Sequence, residues 1–412
     1  MKKTLSAAFL LINLLGGATA QDTLKAPVIT GLENLLTNHL DRLQGQVLAL
    51  VTNQTGIDRN GTPNYKRFME LEGVTLKVIF SPEHGLFGEA AAGDTVTYSD
   101  TLAALPKVIS LYGETRKPTP EMLAGVTLIL YDIQDVGARF YTYITTLGLV
   151  MEAAGELNIP VLVLDRPNPL GGIAVEGPLL KPQFRSFVGY YPIPIRYGLT
   201  VGELALMIVG EKWIEPQPQV EVMPLIGWKR DMLYDETGLP WVKPSPNIPD
   251  LETALLYPGN CLFEGTNISE GRGTHQPFKL IGSPWSTYDV GKELNTMNLP
   301  GIVFKPAKFT PRAIKGMAGN PKFKDKTCLG MKAKVTDPRT FQSVRTGVQS
   351  LYLMNALEAG LFKIKPRWLN RLWGTPELVQ LLLGKTQLKT VLAHLDKDEA
   401  TFRKQRKPYL LY

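Results

Sequence analysis

The chain has 412 residues, 44% of them hydrophobic and 20% charged, with a formal net charge of +7. That balance fits an ordinary globular protein large enough for two domains, and it excludes a membrane-spanning or low-complexity chain. The excess charge sits late, from Lys305 to Lys334 and again at Arg403, Lys404, Arg406 and Lys407. It would suit an acidic substrate or an anionic wall, serves equally well as a solvated surface, and comes with no nucleic-acid motif.

The N-terminus indicates the compartment. Lys2 and Lys3 precede an apolar run from Leu5 to about Leu15, and Ala18-Thr19-Ala20 follows. This order is that of a secretory signal peptide over residues 1–20, too short for a permanent bilayer span. A periplasmic or secreted location is therefore expected. In such an oxidising compartment the two cysteines, Cys261 and Cys328, could pair.

Five short apolar runs follow: Val47–Val51, Leu76–Phe80, Val108–Leu111, Val126–Leu130 and Val161–Leu164. None alternates with polar residues, so each reads as a strand buried on both faces of a parallel sheet. Helical segments separate them: one opens at Thr62-Pro63 and another covers Tyr141 to Leu157. The predicted fold is α/β, a Rossmann-like doubly wound domain over 21–185. Residues 186–289 are rich in proline and glycine and are expected to complete a cleft. Within them Thr200 and Glu203 form a capping box ahead of one helix. Residues 290–412 read as a smaller α+β auxiliary domain. It should hold strands at Ile302–Phe304 and Met331–Val335, and helices near 341–359, 375–384 and 387–395.

Four of the strands end in polar clusters, and ligands of open parallel sheets bind beyond the carboxyl ends of the strands. Asn53 and Gln54, Glu83 and His84, Asp132, Gln134 and Asp135, and Asp165, Arg166 and Asn168 are therefore expected to line one crevice. The densest local signal is Ser81-Pro82-Glu83-His84-Gly85-Leu86-Phe87-Gly88-Glu89, with two carboxylates and a histidine around a glycine turn. The Tyr131–Tyr143 stretch, including Arg139 and Tyr143, mixes carboxylates, an amide, a guanidinium and aromatic rings, as sugar binding requires. The polar stretch Tyr257–His275 offers Glu264, Asn267, Glu270, Arg272 and His275. The chain lacks a G-x-S-x-G elbow and an H-E-x-x-H motif, and no metal or other cofactor is expected.

These segments, with Thr52–Gly56, Asp165–Pro169 and Gly282-Ser283-Pro284-Trp285, resemble the NamZ-type exo-β-N-acetylmuramidases, glycoside hydrolase family 171. The likeness covers nearly all of the chain after the leader. It implies a Rossmann-like domain joined to an auxiliary domain with the site between them. It also implies release of N-acetylmuramic acid (MurNAc) from the non-reducing end of β-1,4 MurNAc-GlcNAc peptidoglycan fragments. Glu83 then matches the family's cleft glutamate and becomes the candidate general acid, oriented or tuned by His84. Glu264, Glu270 and Asp132 are candidates for the second carboxylate. Arg139 and Arg272 are candidate anchors for the lactyl carboxylate of MurNAc. Three other readings compete: a periplasmic sugar- or muropeptide-binding protein without turnover, a metal-dependent wall amidase or esterase using His84 and His275, and a structural wall-associated protein.

Overall fold

The computed structural model describes residues 27–98 and 104–412; the expected leader lies outside them. Six strands, β1 (Val47–Thr52), β2 (Thr75–Ser81), β3 (Lys107–Ser110), β4 (Leu128–Asp132), β5 (Val161–Leu164) and β6 (Val220–Met223), form one sheet in the order β3-β2-β1-β4-β5-β6. Every neighbouring pair is parallel. The chain reverses its winding between β1 and β4, the topological switch point of a doubly wound sheet.

The lack of alternation in the strands has a direct cause: both faces are covered. Leu48, Leu50, Ile79, Leu130 and Leu162 pack into one cluster, with Leu32 and Leu35 of α1 (Gly31–Asn38) and Phe68 of α2 (Asn64–Met69). Their neighbours Ala49, Val51, Phe80, Ile129 and Val163 face a second cluster. That side carries Leu123 of α3 (Pro120–Leu123), α4 (Tyr143–Glu156) and α5 (Val201–Gly210). Thr200 and Glu203 cap α5 reciprocally, as their spacing predicts. α2 begins just after Pro63, with no side-chain cap from Thr62.

β6 was not anticipated. Only Met223 of its four residues is buried, and they offer no apolar run, so the sheet extends past residue 185 into the stretch read as a cleft-completing segment. α6 (Leu251–Asn260) was also missed, because Pro258 sits inside its last turn and reads as a breaker. Beyond it, α7 (Asp289–Thr296) packs on a three-stranded antiparallel sheet. Its strands β7 (Leu280–Ser283), β8 (Ile302–Phe309) and β9 (Cys328–Val335) lie in the order β7-β9-β8. Helices α8 (Ser343–Leu357), α9 (Pro366–Trp373), α10 (Glu377–Leu382) and α11 (Leu388–Gln405) complete the chain. The auxiliary unit is therefore α+β, as expected.

The two parts share one core. Ile129 and Val163 of the parallel sheet belong to the same apolar cluster as Ile281, Met331, Val348 and Trp373. The two cysteines stay free thiols, correcting the pairing considered from the compartment. Cys261 lies in this large core, and Cys328 packs with Leu280 and Phe309 in a separate small one.

Candidate active site

Glu83, His84, Glu264 and Glu270 line a cavity of about 800 Å³, walled by both parts of the chain. The parallel sheet contributes the turn after β2, with Glu83 and His84, and the approach to α4, with Phe140, Tyr141 and Thr142. The other wall carries Tyr257, Glu264, Glu270, Arg272 and Phe278, then Lys322, and finally one face of α9 through Trp368 and Leu372.

Glu83 is 9% exposed and is held by neutral donors. Thr142 Oγ1 donates to its Oε2 at 2.7 Å, and the Gly93 amide donates to Oε1 at 3.0 Å. The Tyr112 hydroxyl is a third neighbour; burial first, and then the Glu83 charge, push that phenol's pKa up. His84 adopts φ 72°, a left-handed conformation that costs a non-glycine residue strain and favours Gly85 as its successor, at φ 77°. Its Nδ1 lies 2.8 Å from the Ala90 carbonyl. A carbonyl only accepts, so Nδ1 carries the proton and Nε2 is left as an acceptor. Burial lowers the imidazole's pKa against the opposing pull of Glu83. His84 thus bonds the 84–90 turn and makes no bond to Glu83.

The opposite wall is organised by cations. Arg272 Nη2 and Nε donate to Glu264 Oε1 at 2.8 and 3.2 Å, and Nε stands 3.8 Å from Glu270 Oε1. Burial works against the guanidinium's charge, but the two carboxylates outweigh it and raise its pKa. Its plane also lies over Phe278, 5.0 Å from the ring centre. Lys322 Nζ reaches Glu270 Oε2 at 2.8 Å. Gly271, at φ 80°, lets Glu270 and Arg272 both turn into the cavity; a Cβ there would stand 2.8 Å from the Leu280 carbonyl.

The remaining candidates lie elsewhere. The strand ends at the switch point do converge, but on one another, leaving a space of only about 10 Å³ beside Thr55, Gln134 and Arg166. Asp132, fully buried, pairs with Arg166 Nε at 2.5 Å and accepts from Asn64 at 2.7 Å. Asn53 accepts from Thr55, and Gln54 donates to the carbonyls of Lys243 and Pro244. Asp135 accepts from Tyr197 and the Gly137 amide, and burial raises its carboxyl to about 6. Asp165 accepts from Thr200, the Gly202 amide and Tyr412, and burial raises it to about 7. Asn168 donates to the Leu199 carbonyl and Tyr143 to that of Pro244.

Arg139, expected as a lactyl anchor, is instead a buried tie between the two parts of the chain. Its guanidinium donates to the carbonyls of Pro178, Ile193, Leu372 and Trp373. Asn267 bonds the backbone of Leu361 and Lys363 away from the cavity. His275 lines a different surface concavity from His84. The histidine pair proposed for metal chemistry is thereby separated, and among the described residues no three His, Cys, Asp or Glu side chains cluster as metal ligands.

Comparison with known proteins shows the family. Residues 48–252 match the model of the exo-β-N-acetylmuramidase NamZ N-terminal domain, and residues 255–412 match that of its C-terminal domain. The chain belongs to the NamZ family of exo-β-N-acetylmuramidases. It is 40% identical, over 100% of both chains, to the peptidoglycan β-N-acetylmuramidase NamZ of Bacillus subtilis (strain 168). Two crystal structures of DUF1343 family proteins from Bacteroides fragilis NCTC 9343 share its fold. The first is 34% identical with a TM-score of 0.86, the second 31% identical with 0.75. Each comparison covers 94% of this chain and 99% of the other.

Several cavity residues of this NamZ-family chain were not read from the sequence. Thr142 lies within the Tyr131–Tyr143 stretch but was not itself named, Tyr112 carries no motif, and Lys322, Lys365 and Trp368 come from segments read as surface or as nothing in particular. Asn247 sits in a proline-rich loop. It donates to the Met317 carbonyl at 2.8 Å while its buried Oδ1 has no partner among the described residues. An unpartnered buried acceptor on a cavity wall was the signal available, and only coordinates reveal it.

Proposed function

We propose that the chain is an exported exo-acting glycoside hydrolase that frees MurNAc from the non-reducing end of β-1,4 MurNAc-GlcNAc peptidoglycan fragments during wall turnover. The observation that carries the reading is the cavity's two kinds of carboxyl. Among the described residues Glu83 is bonded by neutral donors alone, whereas Glu264 and Glu270 sit against Arg272. A glycosidase needs one carboxyl to give a proton to the leaving oxygen and another to act across the scissile bond. Glu83 fits the first role, since it can hold or release a proton without breaking an ion pair.

Glu264 fits the second. Its Oε1 takes both bonds from Arg272, its Oε2 has no hydrogen-bond partner among the described residues, and its side chain is 21% exposed. It can act as base for a water or as nucleophile toward C1. Glu270 is more deeply buried and fixed by Lys322, so it positions Arg272. Phe140, Tyr141, Tyr257 and Trp368 supply apolar surface for the sugar ring. Export rests on the leader pattern of residues 1–20.

The test is hydrolysis of para-nitrophenyl β-MurNAc and of its β-GlcNAc analogue by the mature protein, beside a Glu264→Gln variant. The expected result is release from MurNAc alone, with kcat lowered about 10²–10⁴-fold in the folded variant. Saccharide binding without turnover by the unmodified protein would instead make it a binding protein.

A further inference from the structure

MurNAc differs from GlcNAc by a lactyl ether that carries a carboxylate, and the cavity is not obviously hospitable to an anion. Four carboxyls line it: Glu83, Asp94, Glu264 and Glu270. Against them stand three cationic side chains, Arg272, Lys322 and Lys365.

Two of those cations are already committed. Lys322 donates to the carbonyls of Phe263 and Ile268 and to Glu270 Oε2, each at 2.8 Å. An ammonium has three N–H groups, and all three are used. Arg272 serves Glu264 and Glu270 together, so a ligand carboxylate beside it would meet two like charges.

Lys365 is different. It is exposed, its ammonium is in ion-pair contact with no carboxylate among the described residues, and the residue lines both the cavity and the neighbouring concavity that holds Arg367. Its backbone is fixed where it matters. The Lys365 amide donates to the Gly265 carbonyl at 2.7 Å, one residue after Glu264, and Ile364 bridges Thr266. Lys365 then opens α9, whose next turn places Trp368 on the same wall. A residue with an uncommitted ammonium, an aromatic residue and Glu264 therefore line the same cavity, with the backbone of Lys365 bonded beside Glu264.

We propose that Lys365 is the counter-ion of the lactyl carboxylate and the residue by which the cavity separates MurNAc from GlcNAc. The proposal rests on the muramidase reading above. An exposed ion pair is weak in water, but a bound sugar displaces that water and strengthens the attraction.

The experiment measures kcat and KM for para-nitrophenyl β-MurNAc and for its lactyl N-methylamide, which has the same ether and no charge. In Lys365→Met, KM for the free acid should rise about tenfold to a hundredfold. The amide's KM should stay within about twofold, since uniform binding is lost only where the charge exists. Lys365→Arg should recover most of the loss. Arg367→Ala, two residues away and not among the cavity's lining residues, should behave as the unmodified protein and so exclude a general surface attraction. An unchanged KM in Lys365→Met, or an equal rise for acid and amide, overturns the assignment. Failure of the unmodified protein to cleave either MurNAc substrate removes the muramidase reading itself, and the Lys365 role with it.

Discussion

Asp132 and Glu83 occupy similar places in the sequence, one at the end of β4 and the other just past β2, and both are buried. Their surroundings differ. Asp132 meets Arg166 at 2.5 Å and Asn64 at 2.7 Å, and the neighbouring space is about 10 Å³. Glu83 meets a hydroxyl and a backbone amide and borders about 800 Å³. A buried carboxylate paired with a guanidinium has its lone pairs and its charge answered from within, and it serves as structure. A carboxyl answered only by neutral donors, with space beside it, can still do chemistry. The switch point of the sheet therefore holds the fold together here, and the proposed reaction site lies in the cavity past the end of β2, walled also by the auxiliary unit.

Exchanging each acid for its amide is the strongest way to break this comparison. Glu83→Gln should lower kcat on β-MurNAc by about 10²–10⁴-fold with an unfolding midpoint close to that of the unmodified protein. Asp132→Asn leaves Arg166 buried without its counter-charge and should cost about 3–5 kcal/mol of stability, read by urea unfolding. The fraction that stays folded should keep its kcat. A variant at Asp132 that is stable but inert would place the chemistry back at the switch point.

Acid titration sharpens the same contrast. Burial raises the Asp165 carboxyl to about 7 and Asp135 to about 6, against about 3.9 in an unfolded chain. Between those values the folded chain holds protons that the unfolded chain has released. These groups therefore favour the fold at low pH, and that contribution falls as pH rises from about 4 through the folded pKa values. The slope is at most about 1.4 kcal/mol per pH unit for each group. Asp165→Asn should flatten the decline between about pH 4 and 7, seen as a stability difference from the unmodified protein that changes with pH. Parallel curves would show that the proton sits elsewhere.

Much of this was legible from sequence because it rests on local pattern. Unalternating apolar runs marked β1, β2, β3, β4 and β5, and the Thr200–Glu203 spacing marked the start of α5. Glu83, His84, Glu264, Glu270 and Arg272 were each singled out, and they do share a cavity. Sequence position alone could not sort these from Asp132, Asp135, Asp165 and Arg139. All are polar residues in dense motifs, and their difference lies in which partner each meets across tens of residues. Arg139 is the clearest case: its four carbonyl partners come from three separate segments. β6 and α6 escaped for local reasons, a short half-exposed strand and a helix containing Pro258.

The residues at the switch point still influence the cavity, indirectly. Gln54 Nε2 donates to the Lys243 and Pro244 carbonyls at 2.9 and 3.0 Å, and Tyr143 donates to the latter at 2.5 Å. The next residues of that loop, Ser245 and Asn247, line the cavity. Gln54 thus holds a loop that lines the cavity without lining it itself. Gln54→Ala removes two neutral hydrogen bonds, each contributing about 1 kcal/mol. It should raise KM about threefold to tenfold and leave kcat nearly unchanged, the pattern of a binding wall that has loosened while the acid stays in place. An equal fall in kcat would mean that the loop positions Glu83 or Glu264 as well, and that the boundary drawn between the sealed strand ends and the open cavity is too sharp.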